Sequence, residues 1–293
     1  MKVIPGEINT ALLHAHLLGS IGPRPICFAS TIDENGVPNV SPFSFFNVFG
    51  SKPPIVVFSP ARRVRDNTTK HTLQNAQATG EVVINVVNFD IVQQVNLASC
   101  EYPKGVSEFE KAGLTALPSD MVKPFRVKES PVQLECKVLQ IIETGKEGGS
   151  GNLIVCEVLC MHIDDAILGT DGKIDPHKID LVARMGGDYY CRASGDAVFS
   201  VPKPNLNLGI GVDALPASIR NSTILTGNNL GILGNSTNIP IVAAPLNDDR
   251  LLQLLRTYEA DKVTLQKELH HYAKEIIESG DVEKAWQILL AGA

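Results

Sequence analysis

The chain has 293 residues, 44% of them hydrophobic and 20% charged, with a formal net charge of -6. That composition is ordinary for a soluble globular protein, and the acidic balance argues against a nucleic-acid partner, whose phosphates need clustered Lys and Arg. No apolar run reaches the roughly 20 residues of a membrane span, and the opening MKVIPGEINT has no apolar signal core, so no membrane is expected and a cytoplasmic setting is.

Strand patterns come early. Residues 25–32 read as a strand, and Asn35-Gly36 reads as the turn of a hairpin, because both positions accept positive φ. The returning arm, 37–43, mixes Asn39 and Ser41, with Ser44 just beyond, among Val40, Phe43, Phe45 and Phe46. A half-exposed edge strand explains those polar groups, and so does a polar ligand lying on the sheet. Further strands are expected over 54–59, 81–87, 132–142 and 152–163. Val132, Leu134, Cys136 and Val138 alternate with Gln133, Glu135 and Lys137 at a period near two. The glycine-rich loop TGKEGGSG joins the last two strands. Helical patches are expected over 70–78, closed by Gly80, and over 91–99, 107–112 and 177–184. Antiparallel strands with a few helices predict a closed or partly open β-barrel with peripheral helices.

Composition shifts at Val201-Pro202-Lys203-Pro204, which divides the chain into a domain over 1–204 and an extension over 205–293. Residues 205–246 are rich in Asn, Gly, Leu and Ile and predict an ordered extended arm, since their apolar content is too high for disorder. Residues 248–290 predict helices, the first capped by Asp248 or Asp249 and the last, holding Trp286, set off by Ser279-Gly280-Asp281. The extension shows no chemistry of its own.

Chemistry concentrates in SPARRVRDNTTKHTLQNAQATGE, residues 59–81. Arg62, Arg63, Arg65 and Lys70 stand close together with Ser59, Thr68, Thr69 and Thr72 among them. Thr69 is placed to cap the helix that follows. A helix N-terminus with Arg and Lys beside it suits a phosphate. A solvated basic loop is the plainer reading of the same residues. LVARMGGDYY, residues 181–190, is a second candidate: Gly186-Gly187 permits close backbone approach, and Arg184 and Tyr190 flank it. A glycine turn accounts for it equally.

The six cysteines form no CxxC pair, and with Cys27, Cys136, Cys156 and Cys160 inside apolar strand-like runs the plain reading is buried free thiols in a reducing setting. Asp164, Asp165, Asp171 and Asp175 lack calcium-loop spacing, DGK reads as a turn, and no metal site is expected. His162 reads as a strand-end anchor. His14, His16 and the His270-His271 pair read as solvent-exposed. No Ser/His/Asp or Cys/His arrangement has local support.

Together, RPICFASTIDENGVPNVSPFSFF, PPIVVFSPARR, TTKHTLQNAQATGEVVINVV and DLVARMGGDYY resemble the flavin reductase-like family of FMN-binding split barrels, the group that includes flavoredoxin. The resemblance covers about 15–200. It implies that Ser30, Thr31, Asn39, Ser41 and Ser44 face the flavin, with Pro42 and Phe43 shaping the wall. It implies that Arg62 or Arg63, with Lys70, Thr72 and Asn75, hold the FMN phosphate. His71 stands where the family has Asp, which makes the local geometry and pH response its own. Ser59, Arg184, Gly186 and Tyr190 complete the implied cofactor-binding set. No protein nucleophile is needed, because hydride transfer uses the flavin ring. The resemblance therefore implies an FMN-dependent oxidoreductase, fed by NADH, NADPH or a redox protein. It implies a homodimer and allows a redox or monooxygenase partner. An FMN-carrying protein without nicotinamide turnover, and a flavin-free scaffold, are the competing readings.

Overall fold

Alternation of apolar and polar residues builds most of the first part of the chain. The computed structural model describes residues 1–203, 208–241 and 246–291. It divides the chain into two units, Met1–Phe199 and Ser200–Ala293.

The first unit starts with α1 (Thr10–Ser20), whose Asn9 cap accepts from the Leu12 N–H at 2.8 Å. After β1 (Arg24–Pro25) come β2 (Cys27–Ile32) and β3 (Pro38–Phe43), an antiparallel hairpin. Its turn differs from the expected two-residue type. Only Gly36 takes positive φ, and the Asp33 carboxylate holds the bend by accepting from the Asn35 and Val37 N–H groups. Next are β4 (Phe46–Ser51), β5 (Pro54–Phe58) and β6 (Glu81–Val86), then the small pair β7 (Ala116–Leu117) and β8 (Arg126–Val127). The long strands β9 (Val132–Glu143) and β10 (Asn152–Ile163) follow. The helices are α2 (His71–Thr79), α3 (Val92–Leu97) and α4 (Glu108–Ala112).

The main sheet has seven strands in the order β3-β2-β6-β9-β10-β5-β4, every pairing antiparallel. Its two edge strands, β3 and β4, are joined only by Ser44 and Phe45. So short a link brings the edges together while leaving a seam with no ladder. The expected barrel is therefore present and split. β2 is buried along its whole length. Cys27 and Ala29 pack with Phe58, Ile84, Cys136 and Ile154, while Ile26 and Phe28 pack with Val95 and Phe109 under α3 and α4.

Two local expectations change. Residues 177–184 are not a helix. The Asp175 carboxylate accepts from the His177 N–H, Asp180 takes φ 50°, and β11 (Val182–Arg184) then pairs with β1 and β12 (Tyr190–Arg192). Thr69 does not cap α2. The cap position is Lys70, without a side-chain bond, and the Thr69 hydroxyl accepts from Gln74 instead. Gly80 closes α2 in the left-handed region, φ 70°, as expected.

In the second unit, the expected extended arm lies partly at 205–207 and 242–245, outside the described residues. Its described part carries α5 (Ala217–Arg220) and α6 (Gly227–Gly234), the latter held by a reciprocal Thr226–Asn229 capping box. An arm rich in Asn, Ser and Thr can cap helices, which is why its composition misled. α7 (Asp249–Thr257) is capped by Asp248; α8 (Lys262–Glu278) and α9 (Val282–Leu290) flank the Ser279-Gly280-Asp281 break, where Gly280 has φ 95°. Trp286, Ile288, Leu269 and Leu233 form the core. His270 is buried, contrary to expectation, with its Nδ1 2.8 Å from the Ser222 hydroxyl.

Candidate functional site

The basic loop after β5 is held from three sides. The Ser59 hydroxyl accepts from the Asn152 N–H at 3.0 Å, and Asn152 donates to the Pro60 carbonyl at 2.7 Å. The glycine-rich β9–β10 loop lies against it: the Arg62 N–H donates to Ser150, the Gly149 N–H to Arg62, and a Cβ at Gly148 would stand 3.0 Å from backbone atoms of Arg63 and Val64. Arg62 folds back, its guanidinium donating to the side chain and carbonyl of Asn67.

Arg63, Arg65 and Lys70 meet at one carboxylate, Glu101. Arg63 Nε is 2.7 Å from it and Lys70 Nζ 3.6 Å, and Arg65 pairs with its other oxygen. Arg63 also donates to the Thr68 hydroxyl and the Thr69 carbonyl. Arg63, Lys70 and His71 line one cleft with Asn39, Ser41 and Tyr102. The cations act on each other there. Burial first, then Arg63, draws the Lys70 ammonium below its ordinary range, although Glu101 opposes this. Burial, then Arg63, Lys104 and Lys70, holds the His71 imidazolium below its ordinary range. The Glu101 carboxyl moves down, chiefly through the Arg63 hydrogen bond. Local reading missed Glu101, since it lies beyond α3 and carries no motif.

Below the cleft, four expected residues bond to each other. Thr72 donates to the Asn39 side-chain oxygen Oδ1 at 2.9 Å, and the Asn39 side-chain amide donates to Glu108 at 2.9 Å. Asn75 donates to the Thr31 hydroxyl at 3.1 Å. Glu108 is buried, also accepts from the Val40 N–H, and has its carboxyl pushed up by that burial. Thr31, Thr72 and Asn75 therefore dock α2 onto the β2–β3 hairpin. Ser30, next along the strand, points the other way and donates to the Phe125 carbonyl. Pro42 and Ser44 are partly exposed at the seam.

The remaining expected residues lie elsewhere. Arg184 and Tyr190 line a separate cleft of about 400 Å³ with Phe89, Asn96, Asp188 and Arg192. The Arg184 guanidinium stacks on the Tyr190 ring at 4.6 Å and donates to the Gly187 carbonyl. Gly186 serves chain packing: a Cβ there would sit 3.2 Å from the Cα of Gly19 in α1.

This architecture has relatives. The model of the flavin reductase like domain matches residues 19–176. An uncharacterized protein of Aquifex aeolicus (strain VF5) is 36% identical over 201 residues, covering 69% of this chain and 100% of its own. Among solved structures, nitrilotriacetate monooxygenase component B from Bacillus cereus superposes with a TM-score of 0.64 at 27% identity, over 69% of this chain and 98% of that one. A split-barrel protein from Shewanella frigidimarina NCIMB 400 superposes with a TM-score of 0.58 at 29% identity, over 68% and 95%.

The chain belongs to the flavin reductase-like family. The split barrel is that family's fold, and membership assigns the chain a flavin-related redox role.

Proposed function

We propose that the protein is an FMN-dependent oxidoreductase that moves hydride or electrons between NADH, NADPH or a redox protein and its flavin. The observation that carries this reading is the cleft in which Arg63 and Lys70 face Ser41 and Asn39, with Glu101 as their shared carboxylate partner. Its donor set fits a phosphate dianion: a guanidinium fork, an ammonium and the N-terminal turn of α2. Burial first, and then the neighbouring cations, draw the Lys70 and His71 pKa values down, and an anion bound there would offset that crowding of positive charge.

Bound flavin supplies the hydride-accepting ring, and the protein supplies position and charge. In this reading Lys70 and Arg63 hold the phosphate, and Arg62 joins them on leaving Asn67. Ser41 and Ser44 hydrogen-bond the ribityl chain or ring edge, while Pro42 and Phe43 wall the ring. Thr31, Asn39, Thr72, Asn75 and Glu108 position these groups from below. Ser59 keeps the basic loop in place. Arg184 and Tyr190 belong to the same reading only if a second chain or the ring's far end reaches their cleft.

Likeness to a component of a monooxygenase supports an acceptor enzyme as partner. A homodimer and a cytoplasmic setting complete the proposal, the latter supported by six free thiols.

The test is anaerobic titration of the FMN-loaded protein with NADH and with NADPH, followed by flavin absorbance. Bleaching by either nucleotide is expected, at one flavin per chain. Retained colour without bleaching would leave a flavin carrier. No flavin absorbance after dialysis against excess FMN removes the reading altogether.

A further inference from the structure

Cys160 and His162 are two apart on β10 and so share a face. The β9–β10 register shifts between Val158 and Cys160, which sets Cys160 opposite Glu135 of β9. Glu135 is fully buried. Its two carboxylate oxygens accept from the N–H groups of Asp120, Met121 and Val122 at 2.9, 2.6 and 3.2 Å. Three groups then converge on one atom, the Nε2 of His162: Glu135 Oε1 at 2.7 Å, Cys160 Sγ at 3.6 Å and Asp120 Oδ2 at 3.8 Å. The Glu135, Cys160 and His162 donor atoms all lie within 4.8 Å of one another.

The 2.7 Å Glu135 contact is an ordinary hydrogen bond, and by itself it does not use the Cys160 and Asp120 groups beside it. A single ring nitrogen holds at most one proton, so it serves one of the three. A catalytic relay is also the wrong shape, because the carboxylate would then meet the other ring nitrogen, Nδ1. A cation bound between Glu135, Cys160 and His162 uses all three, and the exposed Asp120 side chain, 3.8 Å from His162, supplies a fourth ligand by turning toward it. Ligands about 2.0–2.3 Å from a tetrahedral ion stand about 3.3–3.8 Å apart, which matches the Cys160 and Asp120 separations from His162. The closer Glu135–His162 pair opens by a small turn of the ring.

We propose that Asp120, Glu135, Cys160 and His162 form a binding site for a divalent transition cation of the zinc type. A thiolate, an imidazole and carboxylates are the ligands such an ion selects. Charge agrees as well. Arg126, whose Nε lies 3.9 Å from Glu135, together with a divalent ion balances the thiolate and the two carboxylates. Entry is open, since the side chains of His162 and Asp120 are 21% and 68% exposed. The three N–H bonds to Glu135 anchor the 120–122 loop that carries the fourth ligand, so the ion staples that loop to β9 and β10. The site uses no residue of the flavin reading and stands or falls apart from it.

The test is titration of the chelator-treated full chain with Co²⁺ under reducing conditions, read as difference spectra. Tetrahedral d–d bands and a thiolate-to-metal charge-transfer band are expected, and Zn²⁺ should abolish both by displacement. Cys160→Ser should remove the charge-transfer band. His162→Gln and Asp120→Asn should each weaken Co²⁺ by at least about tenfold, the loss typical of even an outer-shell partner. Cys100→Ser, at an exposed thiol elsewhere, should change nothing. Asp120 lies on an exposed loop, so its variant folds whatever the others do. A wild-type spectrum without the thiolate band, a band that survives Cys160→Ser, or affinity unchanged in both His162→Gln and Asp120→Asn would overturn the site and leave a hydrogen-bonded cluster.

Discussion

At the scale of single residues, the proposed phosphate clamp sets one carboxylate, Glu101, against one ligand. Lys70→Ala should weaken FMN by about ten- to a hundredfold, the worth of a charge-assisted hydrogen bond, and should leave riboflavin nearly unchanged because it has no phosphate. Fluorescence-quench titration with both ligands checks this; equal losses would make Lys70 a scaffold residue. Glu101→Gln should act oppositely. It removes the anion that Arg63 and Lys70 now share. Exposed pairs of this kind are worth about 0.2–1 kcal/mol, so FMN affinity should rise by up to about fivefold. A fall instead would mean that Glu101 orients the cations more than it competes for them. Arg65 is exposed and pairs with the same carboxylate, so Arg65→Ala should have little effect.

Elements are joined by buried polar bonds, and these set the next predictions. Thr72→Val keeps the shape of α2 but removes its donor to Asn39. The unit over 1–199 should lose about 0.5–1.5 kcal/mol in urea unfolding, and FMN should weaken with it as α2 loosens from the hairpin. Unchanged stability would leave Asn75–Thr31 as the effective link. In the second unit, burial, then His271, depresses the His270 pKa below 6.5. The unfolded chain therefore takes up the proton first. Stability is full above about pH 6.5 and is lost as the pH falls toward the folded value. Trp286 is the only tryptophan and is buried in that unit, so its fluorescence reports the transition. Wild-type protein should lose more stability between pH 7.5 and 5.5 than His270→Gln does. Equal slopes would place the acid sensitivity elsewhere.

For the whole molecule, apolar surface is the guide to assembly. Of the phenylalanine rings over 43–49, Phe43 is buried and Phe46 partly so, while Phe45 and Phe49 remain 40% and 67% exposed. Val48 on β4 and Leu12, Leu17 and Ile21 in and after α1 add to them. No residue of α1 is buried in a single chain. A two-fold interface covering α1 and β4 would remove this surface from water. Light scattering at micromolar protein should give twice 31.6 kDa. The single-chain mass would overturn the dimer.

What the sequence determined by itself is what local pattern can encode. Period-two alternation marked the long strands, Gly80 marked the end of α2, and Asp248 and the Ser279-Gly280-Asp281 break marked the last helices. The motif series marked the family and the basic loop. Tertiary structure decided what depends on partners far along the chain. Residues 177–184 became turn and strand because β1 and β12 flank them. Thr31, Thr72 and Asn75 became a docking network because α2 lies on the hairpin. Glu101 entered the cleft, and His270 entered a core. Glu135, Cys160 and His162 met because β9 and β10 pair in one register, with a bulge between Val158 and Cys160, and Asp120 came near them because its loop bonds to Glu135. Side-chain direction along a strand follows from local backbone geometry, whereas the identity of the atom it meets follows from register and packing, which no short window of sequence contains.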